Sequence, residues 1–147
     1  MPDIDNPLVI FHFGLEIDGA LTGYFTSVSG IGSENEVIDH KIMGTNGETI
    51  MQKIPGRLTW TEVTLKRGVT KLKDVWDWRQ KVVEGKMKDA RKNCSIVAFD
   101  QEFKEIARWN FTAAWPNKVT GPEMDSGGTD YMVEEITLVH EGMIRVS

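Results

Sequence analysis

The sequence has a single cysteine, Cys94, in 147 residues, so no intrachain disulfide can staple the fold. Positive charge is also short. Seventeen Lys and Arg stand against 22 Asp and Glu, a formal net charge of −5. Surfaces that coat nucleic acid or grip anionic membranes need the opposite balance, so no specific nucleic-acid partner is expected. No apolar run approaches the ~18 residues that span a bilayer, which argues against insertion of a monomer into a membrane. The opening "MPDIDNPLVIFHFGLEIDG" starts with acids and lacks the basic segment and small-residue cleavage site of a secretory signal. The expectation is synthesis and assembly in the cytoplasm.

Chemistry-bearing motifs are scarce as well. His12, His40 and His140 lie far apart and form no HExxH-type ligand pair, which leaves them as strand or surface histidines. "SGIGSEN" (29–35) lacks the spacing and the following helix of a dinucleotide loop. Glu134 and Glu135 are adjacent on an expected strand, so they point to opposite faces and cannot share acid–base work. Cys94 alternates with Ile96 and Ala98, the pattern of a core position rather than a nucleophile. No catalytic set, cofactor loop or metal site emerges, and the expectation is a protein that is not an enzyme.

What the sequence does have is a period of two. Val9, Phe11, Phe13, Leu15 and Ile17 share one face of the run 8–18, and Asp18-Gly19 marks a hairpin into 20–30. Further runs are 33–43, which ends in the turn cluster "GTNGE", then 49–56, 57–66, 93–100, 105–114, 115–121 and 130–146. The Gly-rich piece at 120–130 reads as a loop. One helix interrupts the strands over about 71–84, where Leu72, Val75, Trp76, Arg79, Val82 and Val83 form its apolar stripe. Trp78 falls at the edge of that stripe, with Thr70 as N-cap and Gly85 as C-terminal cap. Its tryptophans read as core packing rather than a ligand box. The fold class is mainly β, a sandwich or split barrel with one amphipathic helix, in a single domain covering 1–147.

Two features are unusual. Long strands leave backbone edges that must be closed, covered or completed by a partner. Several strands also carry a polar face: Asn35, Asp39 and Lys41 in one, Arg108, Asn110 and Thr112 in another. Bulk water or a water-filled channel would select such faces equally.

The stretch "GRLTWTEVTLKRGVTKLKDVWDWRQ" (56–80) joins a strand to the helix through Lys66-Arg67-Gly68. Together with "FHFGLEIDG", "GYFTSVSGIGSENEVIDHK", "ARWNFTAAWPNKVTGP" and "EEITLVHEGM", it gives nearly the whole chain a likeness. The sequence resembles the inner-tube proteins of contractile injection machines, the family of myophage tail tubes, tailocin tubes and extracellular contractile injection systems. One departure is the turn after "VAFDQEFKE" (97–105), where the family usually carries a Gly and this chain has none.

The resemblance implies hexameric rings stacked into a hollow tube, with strands of neighbouring subunits joining into a channel-lining barrel. It implies an extended docking loop at about 43–56 that reaches a neighbour through Met43, Gly44, Asn46, Glu48, Ile50, Met51 and Ile54. Lys66 and Arg67 would lie at a subunit boundary, opposite acids such as Glu34 or Glu36 of another copy. Lumen-facing candidates are Asn35, Asp39, Lys41, Thr59, Thr61, Arg108, Asn110 and Thr112. The implied partners are copies of the chain itself, a sheath outside, baseplate, spike and cap proteins at the ends, and cargo within. No cofactor is implied. Related readings are a type VI secretion tube protein and a baseplate-proximal tube initiator; a monomeric ligand-binding β-barrel is the reading from another class.

Overall fold

The computed structural model describes residues 10, 12–68, 73–121 and 133–146. The Asp18-Gly19 signal makes the expected hairpin. β1 (His12–Ile17) turns there into β2 (Ala20–Phe25), and both turn residues adopt positive φ, 52° and 83°. The run 20–30 then breaks at Thr26, and β3 (Ser27–Ser29) moves to a different part of the sheet. β4 occupies Ser33–Met43 as the sequence suggests, and β5 (Thr49–Trp60) pairs with it.

The next strand corrects the sequence reading. The stretch 57–66 is not one strand but two halves with different partners. Its first half finishes β5, the chain breaks at Thr61-Glu62, and β6 (Val63–Gly68) begins in the main sheet. After α1 (Asp74–Val83) comes a second, four-residue helix that the sequence reading lacked, α2 (Met87–Ala90). β7 (Lys92–Phe99) follows, then a 16-residue β8 (Glu105–Thr120) that fuses the two expected runs. β9 (Val133–Val139) and β10 (Gly142–Arg145) divide the last run at His140-Glu141. Pro116 sits inside β8 beside a register shift, the place where a sheet tolerates a residue without an N–H.

Eight strands form one antiparallel sheet in the order β2-β1-β7-β8-β9-β6-β3, with β10 paired to β8. β8 is its spine. Its first half joins β7 and β10, and its second half joins β9. The sheet thus folds into two leaves that trap the core between them. Leu15 and Ile96 from one leaf meet Leu65, Ile136 and Leu138 from the other, all essentially inaccessible. Cys94 and Ala98 lie in the same buried row, and burial pushes the Cys94 thiol up to about 12.

The helix packs on β8, but its stripe differs from the expected one. Val75 and Trp78 are the buried pair, whereas Trp76 is 39% exposed and Val83 62%. Trp78 is drawn inward because its indole N–H donates to the Ala90 carbonyl of α2 at 2.6 Å, a partner invisible to helical periodicity. Gly85 terminates the helix at φ 77°, as its sequence position suggests. Thr70 and Leu72 fall outside the described residues, and Lys73, expected inside the helix, is its N-cap.

The turn from β7 to β8 lacks glycine, and Phe103 takes the left-handed conformation there at φ 63°. That costs an L-residue about 1–2 kcal/mol. Asp100 offsets part of it, its Oδ1 accepting from the N–H groups of Glu102 and Lys104 at 2.9 and 2.8 Å. The Phe103 ring also stacks on His12, centroids 4.1 Å apart.

Candidate assembly surfaces

β4 and β5 form a separate two-stranded sheet that projects from the body as an arm. Every residue of β4 is exposed, and β5 is only partly covered at Ile54, Gly56 and Trp60. The segment expected as an extended loop at 43–56 is therefore the tip and returning strand of a hairpin rooted at Ser33 and Trp60. Its tip closes through Gly44 N–H to the Glu48 carbonyl at 2.7 Å, with Asn46 in the turn and Gly47 at φ 78°. Pro55 is accommodated because β5 carries a bulge opposite Glu36, between the Asn35–Leu58 and Val37–Pro55 pairs.

Register sorts the arm into two faces. Directly opposed residues share a face in an antiparallel pair. Ile38 opposes Ile54 and Ile42 opposes Ile50, which gives an isoleucine face interrupted by His40 and Gln52. The other face carries Asp39 and Lys53, joined at 2.6 Å, with Lys41, Met51 and Met43 beyond them. Met43 is the most exposed large apolar residue of the described chain at 82%.

The polar alternation on β8 holds in the body. Ala107 and Phe111 are buried inward, while Asn110 and Thr112 face outward. Arg108 is held on that outer side by Glu16 of β1 at 2.6 Å and Glu105 at 2.7 Å. Asn110 accepts from the Ser95 hydroxyl of β7 at 2.6 Å. The result is a polar row running Glu16, Ser95, Asn110 across three strands, two of whose members the sequence reading missed. Their signal was alternation on β1 and β7, legible only once the register was known. A groove of about 640 Å³ on this side mixes Asp18, Asn93, Ser95 and Asn110 with Phe111 and Ile144, unlike the apolar enclosed pocket of a ligand-binding barrel.

The lumen candidates therefore divide. Arg108, Asn110 and Thr112 lie on the sheet's outer face, whereas Asn35, Asp39 and Lys41 lie on the arm, with no pairing between arm and β8. Thr59 opposes Glu34 and so lies on the arm face away from Asn35, and Thr61 sits at the root with its N–H on the Gly32 carbonyl.

Arg67 is the clearest correction. Expected at a subunit boundary opposite acids of another copy, it is 4% exposed within its own chain. Its Nε donates to Glu134 at 2.6 Å and its Nη2 to Asp74 at 2.8 Å, while the guanidinium lies over the Phe25 ring. Trp76 Nε1 donates to the other Glu134 oxygen at 2.8 Å. Burial opposes the Arg67 charge, but these hydrogen bonds and carboxylates outweigh it and raise its pKa. Glu34 and Glu36, proposed partners from a neighbour, stay on the arm, and Arg67 needs neither. Lys66, on the alternate face, is half exposed and 3.9 Å from Glu135. Glu134 and Glu135 do point apart as expected, one buried and one half-buried.

His140, read as a strand or surface histidine, is instead wedged between Phe111 and the arm-root Trp60. Neither ring nitrogen has a hydrogen-bond partner. Burial lowers its proton affinity, only partly offset by the carbonyls of Gly142 and Thr61, which lie short of hydrogen-bond geometry.

Among the described residues no group of three His, Cys, Asp or Glu is placed to hold a metal, and no helix is long and apolar enough to cross a membrane. Among the described residues, β2, β3 and β10 each pair on one side only, and the two-stranded arm is exposed along its length.

The family pattern of the T4-like virus tail tube protein gp19 matches residues 9–144, and this chain belongs to that family. Its fold is that of tubes in contractile injection systems. A chain of the PVC sheath–tube complex in its extended state superimposes with a TM-score of 0.75 at 23% identity, covering 98% of this chain and 94% of that one. A chain from the tube-terminating cap of the anti-feeding prophage gives 0.76 at 20% identity, covering 100% and 95%. Hcp1 from Flavobacterium johnsoniae is more distant, with a TM-score of 0.53 at 12% identity over 92% and 94%. No curated protein matches.

Proposed function

We propose that this chain is the repeating unit of the rigid inner tube of a contractile injection machine, assembled as stacked hexameric rings and driven forward by a contracting sheath. The observation that carries this reading is the arm. An exposed apolar hairpin on a monomer is an aggregation liability unless it has a partner, and in a repeating assembly that partner is the next copy. The Arg108–Asn110–Thr112 side of the sheet, with Glu16 and Ser95, is the surface suited to line a water-filled channel. The open edges at β2 and β10 are where neighbouring copies would extend that sheet around the ring. The arm bearing Met43 to Ile54 docks on another subunit. Met43, Ile50, Met51 and Ile54 supply its apolar contacts, Gly44, Asn46 and Glu48 shape its tip, and Lys66 remains available at a boundary.

The chain acts as a conduit without catalysis or cofactor. A sheath surrounds it, spike and cap proteins close its ends, and cargo occupies the lumen of a phage tail-like particle assembled in the cytoplasm. A second reading, a baseplate-proximal tube initiator, is favoured by a chain of the anti-feeding prophage baseplate, which superimposes nearly as well, with a TM-score of 0.74 at 16% identity. Negative-stain electron microscopy of the purified protein and of native particles tests the proposal. Six-fold rings or hollow tubes are expected; compact monomers under all conditions, with no tube in the particle, would overturn it.

A further inference from the structure

Among the described residues, no strand or helix of the body packs broadly on β4 or β5, so the arm is held at its root. The root is formed by two short segments, 30–33 and 60–63. Thr61 donates its N–H to the Gly32 carbonyl at 3.1 Å. Gly30, at φ 84°, lies so close to the Glu62 carbonyl that any Cβ would run into the oxygen. Only glycine permits both that conformation and that approach. Short connections at the ends of elements are where a hinge absorbs a change in backbone angle.

Two side chains of the body reach this root, and neither is fully paired. Among the described residues, the buried side-chain polar atoms without a partner are Nδ1 and Nε2 of His140 and Oδ1 of Asn117. The His140 ring stands edge-on to Phe111 at 4.8 Å and tilted against Trp60 at 5.6 Å. Asn117 reaches Glu62 Oε1 with its Nδ2 only at 3.5 Å, a loose contact. Proteins pair nearly all buried polar atoms, so a junction where these remain unpaired requires a reason.

Histidine supplies one, because its charge changes within the range of pH 5 to 8. A neutral ring can lie between two aromatic side chains. An imidazolium there would be a buried charge without hydrogen-bonded partners, which is strongly unfavourable. From β5 the ring meets Trp60 and the Thr61 carbonyl, from β8 Phe111, and from the start of β10 the Gly142 carbonyl. None of these groups titrates. Of the acids next to them in sequence, Glu62 faces Asn117 and Glu141 is exposed, and neither acts on the ring's proton affinity.

We propose that His140 is a proton-operated latch on the arm. Neutral, the ring fills the slot between Trp60 and Phe111 and fixes the arm's angle to the body. On taking a proton it leaves the slot for water, and the arm pivots about Gly30, Gly32 and Thr61-Glu62. Because the slot disfavours the charged ring, the latch is closed above the ordinary histidine value of 6.5 and opens as pH falls below it. The device belongs to the single chain and stands or falls apart from the tube reading. It makes the arm's angle, and with it the readiness of a copy to join others, sensitive to acid.

The test is spin-label distance measurement on dilute, unassembled protein. One label is placed at the arm tip (Met43→Cys) and one on the helix (Val83→Cys), both exposed positions. Cys94 is buried with its thiol pushed up to about 12 and takes little label. A second pair within the body, Val83→Cys with Ile144→Cys, reports any global loosening. The arm-to-body distances should be narrowly distributed at pH 7.5 and broaden reversibly at pH 5.0, while the body pair stays narrow at both. His140→Leu and His140→Phe, which cannot take a proton, should each keep the arm distances narrow at both pH values. Wild-type arm distances that are unchanged by acid, or already broad at pH 7.5, overturn the latch. So does acid broadening that persists in a folded His140 variant, or that appears equally in the body pair.

Discussion

The body and the arm are built from the same alternating β sequence, yet they solve burial in opposite ways. In β7, Cys94, Ile96 and Ala98 vanish between two leaves of sheet. In the arm, Ile38, Ile42 and Ile50 alternate just as regularly and remain 52%, 38% and 42% exposed. Apolar alternation therefore marks a face that needs covering, without saying which chain covers it. The body is a stability element and the arm an association element, and substitutions should separate the two.

The largest effects belong to the body. Replacing Arg67 by Ala leaves Glu134 buried with its guanidinium partner gone, and removing one member of a buried pair costs about 3–5 kcal/mol. Urea denaturation should register that loss; an unchanged midpoint would mean Arg67 is solvated after all. Leu65→Ala should cost about 2–5 kcal/mol by opening a cavity between the leaves, read as a drop in melting temperature.

His140 joins the two regions and should give a smaller, pH-dependent effect. The unfolded chain takes up a proton near the ordinary value of 6.5, while the buried ring resists it. The His140 contribution is thus complete above about 6.5 and declines as pH falls through that value toward the folded one. Phe111, Trp60, Thr61 and Gly142, the groups against the ring, carry no charge that would reverse the sign. Melting wild type and His140→Leu at pH 7.5 and 5.5 isolates the term: the wild type should lose more on acidification. Equal losses would show that His140 does not carry it.

The smallest stability effects belong to the arm. Lys53→Ala removes an exposed ion pair worth about 0–1 kcal/mol, and the melting curve should barely move. Ile42→Ser should likewise leave the monomer's stability within about 0.5 kcal/mol, because a surface site loses little on folding. Tube yield by electron microscopy should nevertheless collapse. A large drop in monomer stability from Ile42→Ser would instead place the arm with the body and erase the distinction.

Much of this arrangement was legible in the residues. The limits of β4, the Asp18-Gly19 hairpin, the Gly85 helix stop and the inward–outward alternation of β8 follow from local steric and periodic rules. The errors have a common cause. Trp78 rather than Trp76 is buried because an Ala90 carbonyl accepts its N–H, and Arg67 is buried because Glu134 lies opposite it 67 positions later. The stretch 57–66 looks continuous until Thr61 and Glu62 pass from one sheet to another. The four clustered aromatic residues of the β7–β8 end, His12, Tyr24, Phe99 and Phe103, come from three separate strands and a turn, so no linear pattern announced them.

The sequence by itself determined which segments are extended, where they turn and which side of each strand is apolar, since backbone sterics and a two-residue period act locally. Only the tertiary structure decided which apolar faces were spent on the core and which were left over for the arm and the aromatic cluster. Burial is a property of what lies opposite, and what lies opposite is fixed by strand order and register across the whole chain.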